Sequence, residues 1–471
     1  MTGEAIDAEG RAGATLVVAA LAALATYLDT TILYVAFPDI TATFDQASPS
    51  TLSWVLNGYT ITFAALLVPA GKLADRLGHR RVFLSGSALF TVASMACALA
   101  PTVGLLVAAR VVQGAGAAIL VPASLALVIA AFPHDRLPQV VAIWGAVGAF
   151  SAALGPSLGA LIVEGLGWRW TFHLNLPIGV VTLAAGSRLL TERRDASVAL
   201  PTPTGVLLIA SAAAAMVYGV VESATYGWAT ARTGAVLLSG LALLGLFVAH
   251  QRRTESPTLD LALFRLGNFR WGNVGMLSYS AGFSAMFFGL ILFLVDVWEW
   301  SIIQAGFAVA PGPLVAALLA PRLGSLGGQI GQRPLVIAGG LLFAAAGACR
   351  LVFLTAEVDY LTDFGVPLAM VAVSIPLVFP QVTSAAAQAL PANQVGVGGG
   401  TTQAIRQFGG SFGVAVAIAL VGTTAGVADA LAGFDRLWWF TIASGLLTAA
   451  GGLPLRTDRH ASLGATPRVE L

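Results

Sequence analysis

Charge is what this 471-residue sequence has least of: Asp, Glu, Lys and Arg make up 10% of it, against 57% for hydrophobic residues. A soluble domain is about a quarter charged, so this chain could not cover a water-facing surface of its size, and its mean hydropathy of +0.85 agrees. Cysteine is nearly missing. Cys97 and Cys349 each sit inside an apolar run, with no zinc or disulfide spacing, and read as packing residues. The five histidines are scattered at 79, 134, 173, 250 and 460, so no metal set or cofactor is implied. No nucleophile elbow and no Gly-rich loop of the Walker kind occurs, so ATP drive is unsupported. An enzyme or a non-transporting sensor embedded in a membrane is therefore a minor reading. The 24 basic and 23 acidic residues nearly cancel, and nothing points to nucleic acid.

What is present is apolar length. Runs of roughly twenty residues recur throughout, each long enough to cross about 30 Å of hydrocarbon as a helix. They are continuous rather than alternating, which excludes a β-barrel. Breaking the chain at polar, Pro and Gly clusters gives about fourteen spans, from 14–36 to 436–454. The first is too long for a signal-peptide core and reads as a retained helix. An even count puts both termini on one side. The termini and the loops on their side hold eighteen of the 24 Lys and Arg, including Lys72, Arg136, Arg252, Arg265 and Arg333, whereas Arg169, Arg232 and Arg436 are the three assigned to the opposite loops. The positive-inside rule then predicts both termini cytoplasmic, and the pairs Trp168/Trp170, Trp298/Trp300 and Trp438/Trp439 are expected at the outer interface; the expected location is the plasma membrane.

The chain also repeats itself. Gly71-Lys-Leu-Ala-Asp-Arg-Leu-Gly-His-Arg80 returns as Gly324-Ser-Leu-Gly-Gly-Gln-Ile-Gly-Gln-Arg333, and Gly155-Pro-Ser-Leu-Gly159 as Gly409-Gly-Ser-Phe-Gly413. A shift of eight spans relates the copies and pairs spans one to six with nine to fourteen. Because eight is even, the halves share one orientation, the pattern of a two-bundle transporter. The expected organisation is a six-helix bundle over 1–190, two inserted helices over 191–250, a cytoplasmic linker over 251–271, a second six-helix bundle over 272–454 and a cytoplasmic tail over 455–471. The copies differ at the acid: Asp75 and Arg76 become Gly328 and Gln329.

Five segments in order resemble the fourteen-helix drug:proton antiporter family of the major facilitator superfamily, over essentially the whole chain. They are Leu28-Asp-Thr-Thr-Ile-Leu-Tyr-Val-Ala-Phe-Pro38, the loop Gly71–Arg81, Arg110-Val-Val-Gln-Gly-Ala-Gly116, the stretch Gly148–Gly159, and Trp168-Arg-Trp-Thr-Phe-His-Leu-Asn-Leu-Pro-Ile-Gly179. Tyr34 departs from the pattern, which commonly carries Asn there. The resemblance implies an all-α polytopic fold of two six-helix bundles plus two inserted helices. It also implies export of amphipathic drugs, antibiotics or a natural product by alternating access, with the proton as coupling ion, the lipid bilayer as surround and the monomer as working unit. A facilitator or importer of the same fold is the alternative.

Individual residues carry distinct expectations. Asp29 lies about eight residues, roughly 12 Å, from the outer end of span one. A charge near the bilayer centre costs about 2.5–3.5 kcal/mol on insertion scales, so this carboxyl is a candidate proton carrier, or else lines a wet vestibule. Arg110 lies at a similar depth in span four, with Gln113 one turn deeper on the same face. The three are expected to interact, as a proton-sensitive group or as a permanent ion pair. In the 71–81 loop, Gly71 and Gly78 permit tight turns, Asp75 can accept from a helix N-terminus or from Arg, and Arg76 and Arg80 supply charge. The resemblance makes this loop a cytoplasmic gate; the plain reading makes it an anchor. Gly148, Gly155 and Gly159 allow close helix contact and Pro156 bends the helix, for packing, for sealing the cavity, or both. Arg406, with Thr401, Thr402, Gln403 and Gln407, is open to an anionic substrate group, a proton-sensing role or a structural partner. Glu164, Glu222, Asp296 and Glu299 are expected at the interface.

Overall fold

The computed structural model describes the chain apart from residues 1, 134–135, 193, 195–199, 201, 391–393, 422–426 and 457–471. Among the described residues it is helical throughout, with no strand. The first bundle comprises α1 (Thr2–Thr43), α2 (Pro49–Leu77), α3 (His79–Ala98), α4 (Val103–Ala131), α5 (Leu137–Leu166) and the bent pair α6 (Arg169–His173) and α7 (Asn175–Leu189). Two helices follow, α8 (Pro203–Tyr226) and α9 (Ala231–Arg253). After a 3-10 turn over Leu261–Arg265 comes the second bundle: α10 (Gly267–Asp296), α11 (Ile302–Val309) with α12 (Pro311–Ile330), α13 (Gln332–Phe353), α14 (Val366–Gln388), α15 (Val395–Val421) and α16 (Val427–Gly452). Among the described residues, eleven helical stretches are long and apolar enough to span a membrane. The bundle helices α5 and α16 and the pair α6–α7 make the remaining traverses of a fourteen-helix fold. The chain is a multi-pass membrane protein.

Local chemistry sets the helix ends. Pro49 opens α2 in the first turn, where its missing N–H is no loss, and the Ser48 hydroxyl accepts from the Thr51 N–H at 3.2 Å. Ser301 and Gln304 close a reciprocal capping box on α11. Pro311 separates α11 from α12 because its ring removes one ladder bond. The 71–81 segment, expected as a loop, is helical on both sides of a one-residue turn at Gly78. That glycine has φ of +110°, and its partner in the repeat, Gly331, has +86°. Both donate back into the helix they end, Gly78 to Ala74 at 2.9 Å and Gly331 to Gly327 at 3.1 Å. The duplication is thus preserved as turn geometry.

Packing repeats as well. α1 lies on α5 and α7 while α10 lies on α15 and α16; α3 lies on α4 and α7 while α13 lies on α14 and α16. An even number of traverses puts the N-terminal end of α1 and the C-terminal end of α16 on one face, the terminal face, opposite the far face. Asn268, at the start of α10, meets the segment just after α16 there through a 2.9 Å bond to the Arg456 carbonyl. The inserted α8 packs against α9, α2 and α15, so it covers the seam between the bundles. Protein buries only 17% of the apolar stretch of α9, against 72% for α10, so α9 presents most of its surface to hydrocarbon.

The tryptophans divide between interior and surface. Trp168, Trp298 and Trp438 are buried, while Trp170 and Trp439 are exposed. Trp168 Nε1 donates to the Thr43 hydroxyl at 3.0 Å and Trp298 Nε1 to the Thr355 carbonyl at 3.0 Å. A buried indole must satisfy its N–H inside the protein; here helix-end oxygens do so.

Candidate functional site

A polar cluster lies sealed inside the first bundle. Asp29 of α1 accepts from Arg110 Nη1 at 2.5 Å on one oxygen, and from Gln113 Nε2 and Asn175 Nδ2, both at 2.9 Å, on the other. Arg110 also donates from Nε to the Val55 carbonyl of α2 at 2.9 Å and from Nη1 to Gln113 Oε1 at 2.7 Å. Its guanidinium stands 4.2 Å from the Tyr59 ring centroid. Asn175 passes the network on to Ser94 Oγ at 3.0 Å, and Ser94 donates to the Phe172 carbonyl at 2.9 Å. Five helices, α1, α2, α3, α4 and α7, therefore meet at one ion pair. Asp29 is 5% exposed and Arg110 1%. Such a pair persists in a low-dielectric interior only when other hydrogen bonds satisfy the remaining lone pairs and protons, and this network supplies them.

The structure thus brings Asp29, Arg110 and Gln113 together. Asn175 and Ser94 were not singled out in the sequence, and the Cys97 thiol lies 3.5 Å from Gln113 Oε1. Asn175 falls within the quoted Trp168–Gly179 motif, which was the available signal. Cys97 is a member of the polar cluster rather than a plain packing residue.

The bundles meet toward the far face. Tyr34 of α1 has ring centroids 6.2 and 5.7 Å from Phe287 and Phe288 of α10, and Phe37 lies 5.2 Å from Phe288. Beside them, Ser411 of α15 donates to Asn57 Oδ1 of α2 at 2.9 Å. The departure at position 34 thus places an aromatic ring in this plug. On the other side of the seam, a Cβ added at Gly306 of α11 would stand 2.6 Å from both the Ala160 Cβ and the Pro156 carbonyl oxygen of α5. Glu164 of α5 then accepts from the N–H of Ile303, at the start of α11, at 3.1 Å, where a carboxylate suits a helix N-terminus.

The glycines of α5 act within the first bundle. A Cβ at Gly155 would collide with Thr31, one at Gly159 would lie 3.1 Å from Ile32 Cγ2, and one at Gly148 would lie 3.8 Å from the Tyr27 ring. They let α5 approach α1, while Pro156 faces the other bundle.

At the terminal face, Asp75 Oδ1 pairs with His79 Nε2 at 2.9 Å. The carboxylate that caps α3 is Glu192, which accepts from the backbone N–H groups of Arg80 and Arg81 at 3.1 and 3.2 Å. Arg80 Nη2 donates to the Ser187 carbonyl at 2.6 Å, and Arg76 is exposed. Lys72 Nζ donates to the Pro257 carbonyl in the linker at 2.9 Å. Gly71 faces Pro122 of α4, 3.8 Å from where its Cβ would stand. In this conformation the Gly78 turn is tied to its own bundle and to the linker. Gly78 lies against Glu192, so a side chain there would meet the carboxylate as well as an unfavourable φ.

Arg406 does not join the Asp29 cluster. It stands on α15 with its guanidinium 4.3 Å from the Phe379 ring centroid, in electrostatic reach of Tyr27 on α1. It is exposed, between Phe379 of its own bundle and Tyr27 of the other. Glu222, near the far-face end of α8, is 6% exposed and paired with Arg232 at 2.9 Å. Arg350 of α13 is 1% exposed, and its Nε, Nη1 and Nη2 have no hydrogen-bond partner. No group of His, Cys, Asp and Glu that could hold a metal occurs among the described residues.

Comparison with known proteins places this arrangement. Residues 19–414 match the model of the Major Facilitator Superfamily. The chain belongs to this superfamily. It is 33% identical over 406 residues to the multidrug resistance protein Stp of Mycobacterium tuberculosis, covering 85% of this chain and 74% of the relative. It is 34% identical to the cephamycin export protein CmcT of Amycolatopsis lactamdurans, with 87% and 85% covered, and 31% identical to the tetracenomycin C resistance and export protein of Streptomyces glaucescens, with 88% and 77% covered. Among solved structures, a D-xylose-proton symporter superposes with a TM-score of 0.68 at 15% identity over 95% of this chain and 98% of its own, which supports the fold alone. Membership in the major facilitator superfamily makes this chain a transport protein and not an enzyme.

Proposed function

We propose that this major facilitator protein belongs to the fourteen-helix drug:proton antiporters and exports amphipathic organic molecules, antibiotics among them, from the cytoplasm in exchange for protons. It works as a monomer in the plasma membrane with both termini cytoplasmic, which makes the terminal face the cytoplasmic one. The observation that carries this reading is the Asp29–Arg110 pair, an ionisable contact sealed among five helices of one bundle. Intramembrane ionisable residues are costly and mark coupling pathways. The names of the export and resistance relatives support the substrate class.

In this reading a proton reaching Asp29 neutralises the carboxylate and leaves Arg110 facing no charge. The network through Gln113, Asn175 and Ser94 then rearranges, and α1 and α4 shift against α2 and α7. The far-face plug at Tyr34, Phe37 and Phe288 and the Gly306 seam open as the halves rock. Asp75, Arg76 and Arg80 latch the cytoplasmic side in the alternate state. Arg406 lines the cleft that the substrate occupies. The driving force suffices: about 2.3 kcal/mol per charge per 100 mV with about 1.4 kcal/mol per pH unit supports concentration of a neutral substrate several-hundred-fold.

The test uses protein in proteoliposomes with an imposed pH gradient, tetracenomycin C and a cephamycin as first substrates, and a pH-sensitive dye to follow protons. Export that collapses with the gradient, together with substrate-induced proton movement, supports antiport. Equilibration indifferent to the gradient assigns a facilitator instead.

A further inference from the structure

The inserted helices help to wall a cavity that is lined by none of the Asp29 cluster. It holds about 380 Å³ at the far face and is walled by Ser48, Thr51 and Trp54 around the start of α2, by Val107 of α4, and by Tyr218, Glu222 and Tyr226 of α8 with Arg232 of α9. That volume is in the range of small-molecule sites. Its chemistry is one carboxylate among aromatic rings. Trp54 and Tyr218 have centroids 6.4 Å apart. The Glu222 side chain is 8% exposed, whereas its partner Arg232 is 52% exposed.

The two members of this pair are therefore unequal. Glu222 is a buried charge that cannot be left uncompensated without a large penalty. Arg232 is a solvated side chain that loses little on swinging into water. The guanidinium occupies the position of a bound cation: Nη2 lies 2.9 Å from Glu222 Oε2 and 3.4 Å from the Tyr218 hydroxyl, and the group sits 3.9 Å over the Tyr226 ring. An anion-plus-aromatic cradle of this kind takes quaternary and aryl ammonium groups by cation–π attraction.

We propose that this cavity is a far-face subsite for organic cations, and that Arg232 is its built-in occupant, displaced when a cationic ligand binds Glu222. The site consists of α2, α4 and the inserted pair, so it gives α8 and α9 a recognition role separate from covering the seam. It needs no proton gradient, so it stands or falls apart from the coupling mechanism.

The experiment is equilibrium dialysis of radiolabelled benzyltrimethylammonium against full-length protein in nanodiscs, with neutral neopentylbenzene as competitor. Removing the internal competitor in Arg232→Ala tightens binding roughly fivefold or more, since apparent affinity rises with the fraction of free site. Glu222→Gln and Tyr226→Leu weaken it by roughly tenfold. The Arg232→Ala gain cannot come from misfolding, so the test survives if Glu222→Gln folds poorly. The proposal is overturned if the probe binds neither wild type nor Arg232→Ala, if Arg232→Ala binds no tighter than wild type, or if neopentylbenzene competes as well as unlabelled probe.

Discussion

Replacing Asp29 with Asn tests how much of the first bundle depends on one charge. In the native protein Arg110 is 1% exposed and faces Asp29 at 2.5 Å, with Gln113 and the Val55 carbonyl as its other partners. The carboxamide of the variant keeps the shape and can still accept from Gln113 or Asn175, but it leaves the guanidinium without a counter-charge. Removing one member of a buried pair costs about 3–5 kcal/mol. At about 1.4 kcal/mol per tenfold, that lowers the folding equilibrium by roughly two to three and a half decades. Removing both charges, in Asp29→Asn with Arg110→Met, eliminates the orphan, so the double variant should recover most of the loss. Equilibrium unfolding in mixed micelles measures all four corners of the cycle, and proton-coupled export is assayed on the same samples. The expected result is a large single-variant loss, a coupling energy of several kcal/mol, and a double variant that is folded but uncoupled. A single variant as stable as wild type would refute the electrostatic account of the cluster. A double variant that still couples protons would refute Asp29 as carrier.

Gly306→Val should wedge the seam open: Cβ distances of 2.6 Å to Ala160 and Pro156 are about 1 Å inside normal contact, and overpacking costs about 1–3 kcal/mol. A reporter thiol introduced by Val35→Cys, at a position 1% exposed, should then label faster with an impermeant maleimide, and unchanged labelling would exclude the seam as a closing contact. Arg350→Met should raise the unfolding midpoint, because it replaces a buried guanidinium without hydrogen-bond partners by an apolar chain, a gain on the order of 1–4 kcal/mol by analogy with buried-charge replacements; a fall would mean that Arg350 has a partner in another conformation. Asp75→Asn should reduce turnover several-fold while Gly328→Ala is tolerated, and equal tolerance in a transport assay would remove the asymmetric gate.

Much of the fold was legible because hydrocarbon demands it. Backbone groups in a bilayer must be satisfied within helices, so apolar length alone marks the traverses. The offset between Gly71–Arg80 and Gly324–Arg333 carried the two-bundle arrangement. Helix ends were less legible: α2 runs on to Leu77 and α12 to Ile330, because polar residues at a helix end continue the helix until a glycine turns it. The tryptophan pairs near Trp168 and Trp298 marked helix ends, but which indole is buried was not legible, because an internal oxygen can hold an indole near a helix end. Glu222 was likewise legible only as an acid near a helix end; that Arg232 on the next helix provides its counter-charge was not.

The sequence by itself determined the class, the repeat and the depth of the charged residues. It placed Asp29 and Arg110 at one level of the membrane, because rise per residue along a helix is fixed. Only the tertiary structure decided which side chains share an interior. Azimuth and neighbour identity depend on how helices pack, and no periodicity reports that Asn175 closes the Asp29 network, that Glu192 rather than Asp75 caps α3, or that Gly306 seats α11 on Pro156. Those contacts join residues remote in sequence, and only packing brings them within reach.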